Sequence, residues 1–566
     1  MKKICLGMLC VGMFLCSACT DFLKEEPKSS LIAATFFSSN AQAQAAVNRL
    51  YRIGAYSSVS TGVYAGNRLM QGGWHAGLFD NLDYKGQEMY IQWAQLLNMT
   101  ATNVDSRMCD MFENPYTAIG SCNEIIATLE KMTEEELLST GIKANVKVYL
   151  AEAEFFRALN YLFLVRHFGD VPMVITPVVA TDDLHVPKTA VKTIYDQVII
   201  PGFRSAIASL PAKNQYDNSM RISAPIASAF LIDALIQMAG FPLNETSKWA
   251  EAATEAKKFL SGGAYADIFA LEVNEDFGEL SAYNKFRSVN VSAASPGGRK
   301  LSRCNEFIYV MEYTSGISGA GFGANAWPVQ VGALGTSECR VTLTNNAYRP
   351  MPRYLNMYDD AKDLRKKDRQ FFADYFDKKD GSILPNPLNN TPTPYFFYDW
   401  GAVKGENSNS GRHFALFRLA EIYLLAAEAI AKSEGKTAQA VDALASIRAR
   451  AYEYGGVTKA QIVTELNALS VDEFVEQVWL ESYRELVFEF KQWNMIQRTR
   501  KYPKTNAMDS SIPLGTAQFV DVTTVGTGFS GAKLFTVNDL LWPFPLTQMQ
   551  RNPNLTQNPG YLLTLE

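Results

Sequence analysis

KVYLAEAEFFRALNYLFLVRHFG, the stretch from Lys147 to Gly169, carries the clearest structural signal in the chain. Its apolar residues recur at the spacing of one face of an α-helix. Arg166 and His167 stand in the last turn, where positive charge interacts favourably with the helix dipole. Gly169 ends the pattern and Pro172 lies beyond it, as is common where a helix stops. The stretch therefore predicts a long α-helix.

A second helix is predicted from Ile222 to Phe241, whose only charged residue is Asp233. A membrane span needs about 20 apolar residues, and this segment is long enough to resemble one. Pro225, Asp233 and the exit Gly240-Phe241-Pro242 favour a buried helix of a helical array instead. Trp249 to Leu260 follows and is predicted to be its partner helix.

Two pairs of residues have the spacing of a capping box, in which each side chain bonds the other residue's backbone N–H group. The first pair is Thr133 and Glu136, and the second is Ser470 and Glu473. We expect the second box to open the longest helix of the chain, which would run to about Lys501.

Further helices are predicted at Phe414–Lys432 and Thr437–Ala451, with a short one after Thr458. Small residues such as Ala151 and Ala158 stand where neighbouring helices of stacked pairs must approach closely. No clean period of about 34 residues is visible, so any tetratricopeptide-like repeat is degenerate. The predicted fold class is mainly α, built from tetratricopeptide-like helix pairs with little β structure.

The local amino-acid composition changes between about residues 267 and 412, where glycine, proline and serine cluster. Ser295-Pro296-Gly297-Gly298, Gly316–Gly335 and Pro385–Pro394 are loop signals. Phe307–Tyr313 alternates weakly and predicts a short strand, and Asp380-Gly381 predicts a turn. We interpret this region as a loop-rich insertion, and loops on a helical scaffold are where binding residues are usually carried.

The first residues have the pattern of an export signal. Lys2 and Lys3 precede the uncharged run Ile4–Leu15, which is too short for a membrane span. The run ends at Cys16-Ser17-Ala18-Cys19, which resembles a lipobox although Cys16 stands where leucine is usual. We predict cleavage after residue 18 and lipidation of Cys19; the alternative is an ordinary secretory signal with a chance cysteine.

Composition excludes several function classes. Removal of residues 1–18 takes two of the 53 Lys and Arg residues and none of the 58 Asp and Glu residues, which leaves a net charge of −7. Without a basic block, this acidic balance argues against nucleic-acid binding. Cys109, Cys122, Cys304 and Cys339 are too scattered for a disulfide framework. We expect buried free thiols, with a Cys304–Cys339 bridge as the alternative.

Four stretches together resemble the SusD/RagB family of outer-membrane nutrient-binding lipoproteins. They are Asp21–Pro27 after the lipobox cysteine, Ala151–Pro172, Trp479–Arg498 and Asn552–Tyr561, in family order. The chain departs from the family pattern in scaffold segments, where Phe490 replaces the usual glycine, Asn494 the usual aspartate and Gln548 the usual glutamate.

The resemblance implies one compact helical unit, with residues 1–18 as signal peptide, 19–265 as the N-terminal region and 266–566 as the C-terminal region. It also implies a partner, a SusC-like TonB-dependent transporter over which the protein sits as a lid. The implied ligand is a glycan, although relatives take peptides. The implied location is the outer membrane, facing outward, with the lipid anchor at Cys19.

No catalytic or metal signature is evident. Glu485 and Glu489 share one helix face, but apolar residues surround them, and Arg484 and Arg498 can neutralise them. A structural ion-pair network is therefore predicted, not the paired carboxylates of a glycosidase. The four histidines are scattered without metal-ligand spacing. The glycine pattern at Gly526–Gly531 lacks the long helix and the acidic residue of a dinucleotide loop. We predict no enzyme activity, no metal and no cofactor.

Aromatic residues remain as ligand candidates. Trp249, Trp479, Trp493 and Trp542 lie in helices or in the C-terminal signature and are assigned to the core. The candidates for ligand contact stand in polar or glycine-rich surroundings and are Trp74, Asp80, Tyr90, Trp93, Trp327 and Trp400. A sugar ring presents an apolar face that can stack on an aromatic ring, while neighbouring polar groups bond its hydroxyls. A loop tryptophan that only anchors its own loop is the equal alternative.

These observations predict a non-catalytic surface receptor that captures an oligosaccharide and passes it to a SusC-like transporter. Two alternatives remain open from the sequence. One is a peptide- or protein-binding lipoprotein on the same scaffold, and the other is a surface glycosidase.

Overall fold

The structure is a computed structural model. It describes residues 37–53, 79–80, 106–178, 184–289, 301–312, 349–378, 380, 382–385, 392–396, 412–525 and 536–561. Cys19 and the predicted signal lie outside these residues. Within the described ranges, none of the helices combines the length and the apolar character needed to cross a membrane.

Helices dominate the described chain and agree with the predicted fold class. In chain order they are α1 (Asn40–Ile53), α2 (Ser106–Lys131), α3 (Glu134–Ser139), α4 (Val146–Phe168), α5 (Val191–Ile194), α6 (Ile200–Ser209), α7 (Ala224–Ala239), α8 (Lys248–Ala256), α9 (Ala282–Arg287), α10 (Pro352–Leu355), α11 (Leu419–Glu434), α12 (Ala438–Tyr452), α13 (Lys459–Ala468), α14 (Val471–Glu485), α15 (Gln492–Thr499) and α16 (Leu546–Arg551). A π-helical turn at Tyr195–Ile199 joins α5 to α6.

The strongest helix predictions are confirmed. Helix α4 ends where the glycine predicts it, because Gly169 has a φ of 74° and its N–H donates to the carbonyl of Val165 at 3.1 Å. Helix α7 is almost wholly buried, as expected of a helix inside an array. Both capping boxes form, at Thr133 before α3 and at Ser470 before α14.

Helices pack in successive neighbours, which is the arrangement predicted for stacked helix pairs. Helix α4 packs against α2 and α6, α7 against α6 and α8, and α11 against α8, α12 and α14. Close approach depends on small residues. A Cβ at Gly202 of α6 would lie 2.8 Å from the carbonyl oxygen of Glu154 and 2.9 Å from the Cβ of Ala158, both on α4. Any larger residue at position 202 would therefore separate these two helices.

Short antiparallel strand pairs connect the loop-rich part of the chain. They are β1 (Phe79–Asp80) with β5 (Arg349–Pro350), β2 (Val171–Pro172) with β3 (Lys188–Thr189), β4 (Phe307–Met311) with β10 (Phe414–Arg418), β6 (Phe372–Ala373) with β9 (Thr393–Pro394), β7 (Tyr375–Asp377) with β8 (Ile383–Pro385), and β11 (Lys501–Lys504) with β12 (Gln518–Asp521). The strand predicted at Phe307 is confirmed, and Asp380 lies in the predicted turn, between β7 and β8.

Two helix predictions were wrong in part. The predicted helix Phe414–Lys432 begins only at Leu419, because its first five residues pair with β4 as strand β10. The long helix expected from Ser470 to about Lys501 is broken after Glu485 and resumes at Gln492. Within the break, Phe490 has a φ of 59°, a left-handed conformation that a helix cannot contain.

A smaller difference concerns the predicted helix Trp249–Leu260. Helix α8 ends at Ala256, and Lys257–Phe259 continues it as a 3₁₀ turn. The thiol of Cys304 is buried and free, so the alternative bridge to Cys339 is not formed. Cys122 is likewise a buried free thiol, as predicted, whereas Cys109 is only partly buried, and Cys339 lies outside the described residues.

Candidate ligand-binding site

Five of the six predicted ligand residues, Trp74, Tyr90, Trp93, Trp327 and Trp400, lie outside the described residues. Asp80 is the exception, since its backbone forms part of β1. What the structure describes is where the segments that carry these candidates join the rest of the chain, and there are two such places.

The first such place is the pair β1–β5. Phe79 stands opposite Pro350 and Asp80 opposite Arg349. Strand β1 lies between Trp74 and Trp93 of the early segment, and the part of the insertion that carries Trp327 leads into β5. Although far apart in sequence, the two candidate regions are thus joined at one antiparallel pair.

The second place is one end of the ladder β4–β10. Phe414 pairs with Met311, so the chain leaves β4 toward Trp327 and enters β10 from Trp400 at the same end of the ladder. The backbone N–H of His413 donates to the carbonyl of Val289 at 3.4 Å, which adds a third segment end at this point.

A chain of contacts connects the two places. Strand β9 contacts β5, and the residues that follow β9 are Tyr395 and Phe396. The Arg287 guanidinium lies over the Tyr395 ring at 4.6 Å, and that of Arg412 lies over the Phe396 ring at 4.8 Å. Arg412 Nε donates to the Arg287 carbonyl at 3.2 Å. We call this connected set the loop junction. It begins at the Asp80–Arg349 pair, continues through β9, Tyr395, Phe396, Arg287 and Arg412, and ends at Val289 and the Met311–Phe414 pair.

Arg287 and Arg412 and the two rings that they cover are buried, so they hold the segment ends and do not form an open ligand surface. Cation–aromatic contacts of this kind are worth about 2 kcal/mol or more when they are desolvated. The loop junction is therefore a firm base for the segments that carry the candidate tryptophans.

A buried ion-pair network lies beneath the loop junction. Its centre is Arg418, the last residue of β10, which lies over the Phe286 ring at 4.4 Å. Arg418 Nη1 donates to Glu306 at 2.6 Å and to Glu485 at 3.2 Å, and Arg418 Nη2 donates to Glu489 at 2.5 Å. All four side chains are at most 1% exposed.

The network extends to two further arginines. Arg450 bonds Glu306 and Glu485, each at 2.6 Å. Arg365 contacts Glu485 at 3.1 Å and Glu481 at 2.7 Å. Glu485 thus meets three guanidinium groups, which agrees with the predicted structural network. The predicted partners were wrong, because Arg484 pairs with Glu481 and Arg498 pairs with Glu428. Glu485 and Glu489 are both buried among these arginines, so they do not line the open cleft in which a glycosidase holds its carboxylates.

Opposite effects set the pKa values in the network. Burial alone would raise the pKa of the Glu306 carboxyl, but Arg450 and Arg418 outweigh it and lower that pKa. At Glu489, burial outweighs the attraction of Arg418 and raises the pKa. Burial would lower the pKa of the Arg418 guanidinium, but three carboxylates favour its charged form and raise that pKa. The network is thus a balance of desolvation and pairing.

Sequence reasoning missed the residues of the loop junction. Arg287 ends the short helix α9, Tyr395 and Arg412 stand in irregular stretches, and no sequence pattern marks their contacts in advance. Within the part of the chain that the structure describes, no three His, Cys, Asp or Glu side chains are grouped as a metal site would need.

Family comparisons match both halves of the chain. Residues 355–561 match the model of the SusD family, and residues 21–232 match a SusD-like model described as starch-binding and associating with the outer membrane. The chain is similar to SusD-like protein P2 of Formosa agariphila, with 26% identity over 555 residues, 96% of this chain and 97% of the relative. A SusD-like protein of Bacteroides ovatus is 21% identical and is also covered to 96%.

Solved structures share the fold. A SusD superfamily protein of Parabacteroides distasonis superimposes with a TM-score of 0.71 at 23% identity, covering 94% of this chain and all of the other. Surface glycan-binding protein A of Bacteroides thetaiotaomicron, solved in complex with laminarihexaose, gives a TM-score of 0.61 at 14% identity, with 92% of this chain and 99% of that chain covered. These matches confirm the resemblance drawn from the four sequence stretches: the chain belongs to the SusD/RagB family.

Proposed function

We propose that this protein is a non-catalytic, lipid-anchored receptor that binds an oligosaccharide at the outer membrane and delivers it to a SusC-like transporter. The observation that carries the proposal is the loop junction. It ties the early segment and the parts of the insertion that carry Trp327 and Trp400 to one buried base, so aromatic residues on these segments could act together.

The proposed ligand residues are Trp74, Asp80, Tyr90, Trp93, Trp327 and Trp400. Support for a glycan comes from the family, since a relative of the same fold was solved with laminarihexaose and one matching model is described as starch-binding. Stacking of a sugar on an aromatic ring should contribute about 0.5–1.5 kcal/mol per ring, on the scale of aromatic pairs. Two or three such rings suffice for a weak receptor.

The first test is binding of the purified chain from residue 20 onward to laminarin, starch and host glycans, by affinity electrophoresis and calorimetry. We expect one glycan class to bind. Trp74→Ala and Trp327→Ala should each weaken that binding about two- to tenfold, the loss of one stack. Tyr454→Ala is the matched control, because Tyr454 is an exposed aromatic residue outside the candidate segments.

The outcomes separate the alternatives. Binding to peptides but to no glycan would keep the family and overturn the glycan assignment. Release of shorter sugars during incubation, abolished by Glu485→Gln, would favour the glycosidase instead. Equal losses in Tyr454→Ala and Trp327→Ala would reject the proposed residues.

Location and partner need their own tests. We propose that residues 1–18 are removed, that Cys19 carries the lipid, and that the chain forms one unit of two regions, 19–265 and 266–566. Cys19→Ala should then lose incorporation of a labelled fatty acid and leave the membrane fraction, and surface protease should digest the wild type in intact cells. Co-purification of a large TonB-dependent barrel with the tagged wild type would support the transporter partner, and its absence under mild extraction would count against it.

A further inference from the structure

A second concave site lies among described residues that belong neither to the loop junction nor to the ion-pair network. It is a cleft of about 340 Å³ between the exits of three helices. Gly169 follows α4, Phe241 follows α7 and Arg500 follows α15, while Leu541 and Pro559 come from the C-terminal stretch. Its volume is at the lower end of the range for small-molecule sites, about 300–1,000 Å³.

Arg500 is the unusual residue of this cleft. Its guanidinium lies over the Phe241 ring at 5.4 Å, yet it makes no hydrogen bond and no ion pair with any described residue. Its backbone is fixed on both sides, because its N–H donates to the Ile496 carbonyl and its carbonyl accepts from the Val522 N–H, both at 2.9 Å. Among the described residues, this half-buried arginine is thus held in place without a hydrogen-bonded or ion-paired partner, although Asp521 is near enough to interact with its charge.

The other cations of the cleft are occupied. Arg166 pairs with Asp233 at 2.7 Å, and Lys188 Nζ donates to the Thr556 carbonyl at 3.1 Å. Burial lowers the pKa of Arg500, and the field of Asp521 does not compensate. The pKa of Arg418 is raised instead, because carboxylates surround that side chain. An anion bound to Arg500 would give it the negative partner that Arg418 already has within the fold.

The walls of the cleft are mostly apolar, although several amides and one carboxylate, that of Asp170, also line it; Asp170 Oδ1 accepts from the Val191 N–H at 2.9 Å. Phe241 is 43% exposed and Val537 is 51% exposed, and Pro242, Leu243 and Leu541 add to the apolar part of the lining. These surfaces suit the flat or apolar side of a small ring. A guanidinium presents two parallel N–H donors that match the two oxygens of a carboxylate.

We propose that this cleft binds a monosaccharide-sized organic carboxylate, with the carboxylate on Arg500 and the body of the ligand against Phe241 and Leu541. The proposal does not rest on the glycan function proposed above, since the cleft shares no residue with the candidate aromatic site. A uronic acid and an aromatic acid offer the same chemistry, so both serve as probes.

The experiment is titration of the chain from residue 20 onward with sodium glucuronate and with sodium benzoate, followed by calorimetry and saturation-transfer NMR. We expect saturable binding of at least one probe. Arg500→Gln should weaken it at least tenfold, whereas Arg204→Gln should not, because Arg204 is an exposed arginine paired with Glu251. Binding by Trp74→Ala should equal that of the wild type, which separates this cleft from the glycan site.

Two further measurements keep the test decisive if Arg500→Gln fails to fold. The methyl ester of glucuronate, which lacks the charge, should bind the wild type at least tenfold more weakly than glucuronate. Val537→Trp, which would fill the mouth of the cleft, should block both probes. Absence of saturable binding by both acids, equal binding of acid and ester, or undiminished binding by folded Arg500→Gln would overturn the proposal.

Discussion

The two halves of the helical core differ in the side chains that they bury. Between α4, α6 and α7 aromatic rings predominate, with Phe155 lying 5.6 Å from both Phe203 and Phe230, measured between ring centroids, beside the ion pair Arg166–Asp233. Between β10, α12 and α14 apolar residues pack around a buried ionic cluster, the ionic core, which centres on Arg418 and Glu485.

The difference follows the local structure. Burial of apolar surface is non-directional, and it suffices where long helices already set the geometry. The ionic core lies beside short strands and irregular loops, where hydrogen bonds of fixed direction join Glu306 before β4, Arg365 between β5 and β6, and Arg418 at the end of β10. We infer that the ionic core specifies the position of the loop junction above it.

The largest predicted effect is removal of the central cation. Arg418→Met leaves the carboxylates of Glu306, Glu485 and Glu489 buried with fewer partners. Breaking a buried ion pair costs about 3–5 kcal/mol, and we expect about 5 kcal/mol here because three carboxylates are affected. Denaturant unfolding followed by circular dichroism measures the loss.

Arg204→Met is the matched control for that experiment. Arg204 pairs with Glu251 at the surface, where an ion pair contributes less than about 1 kcal/mol. If Arg418→Met lost no more stability than Arg204→Met, the ionic core would contribute only packing, and the contrast between the halves would disappear.

The aromatic core should respond differently. Phe155→Ala should cost about 4 kcal/mol, since it removes a fully buried ring and leaves a cavity among Phe203 and Phe230. Phe155→Leu, which keeps most of the volume, should cost much less. Both losses should be the same at pH 5 and pH 8, because Tyr309, the titratable side chain of this aromatic cluster, has a pKa that burial raises well above its ordinary value and therefore stays neutral over this range. A strong pH dependence would show that the two cores are coupled.

A third prediction concerns pH. Glu421 at the start of α11 pairs with Lys491 at 2.9 Å, but burial outweighs that pairing and raises the pKa of Glu421 to about 7 from its ordinary 4.5. At pH values between 4.5 and 7, the Glu421 carboxyl is mostly protonated in the folded state and mostly ionised in the unfolded state. Stability should therefore fall as pH rises from 4.5 to 7, by about 2–3 kcal/mol from this group.

The test compares the wild type with Glu421→Gln across that range by denaturant unfolding. The difference in unfolding free energy between the two proteins should change in favour of the variant as the pH rises. Lys192→Gln serves as a control, since Lys192 is an exposed lysine whose pairs lie at the surface. A constant difference between wild type and Glu421→Gln from pH 4.5 to 7 would contradict a raised pKa.

The same contrast explains what the sequence could predict. Helices α4 and α7 could be read because their own residues carry both the periodicity and the stop signals. The segment Phe414–Arg418 has no such local mark. It is a strand because β4, distant in sequence, pairs with it, and Arg418 must reach the ionic core.

The break after α14 has a related cause. From Ser470 onward, apolar and charged residues recur at helical spacing without a break, which predicts one helix. The positive φ of Phe490 interrupts that helix. The family pattern has glycine at this position, and glycine adopts positive φ without strain. The departure noted in the sequence therefore marked the break, although its meaning became clear only from the backbone. The loop junction depends on pairs of distant residues, such as Asp80 and Arg349, that no single stretch reveals.

The smallest predicted effect lies at the start of α14, the helix that brings Glu481 and Glu485 into the ionic core. Ser470 Oγ accepts from the Glu473 N–H at 3.3 Å, and Glu473 Oε2 accepts from the Ser470 N–H at 2.8 Å. Ser470→Ala removes half of this box and should cost about 1 kcal/mol.

Ser446→Ala is the matched control, because Ser446 is an exposed serine inside α12 whose hydroxyl bonds only the carbonyl of Asp442, at 2.7 Å. It should change stability by less than about 0.5 kcal/mol. Ser470→Ala combined with Arg418→Met then tests how far the cap supports the core. A cap that acts only on its own helix turn gives additive losses, whereas a cap that positions Glu485 for Arg418 gives a combined loss smaller than the sum. We expect additivity, because Ser470 stands four turns of helix before Glu485 and the ionic core already fixes that end of α14 from three sides.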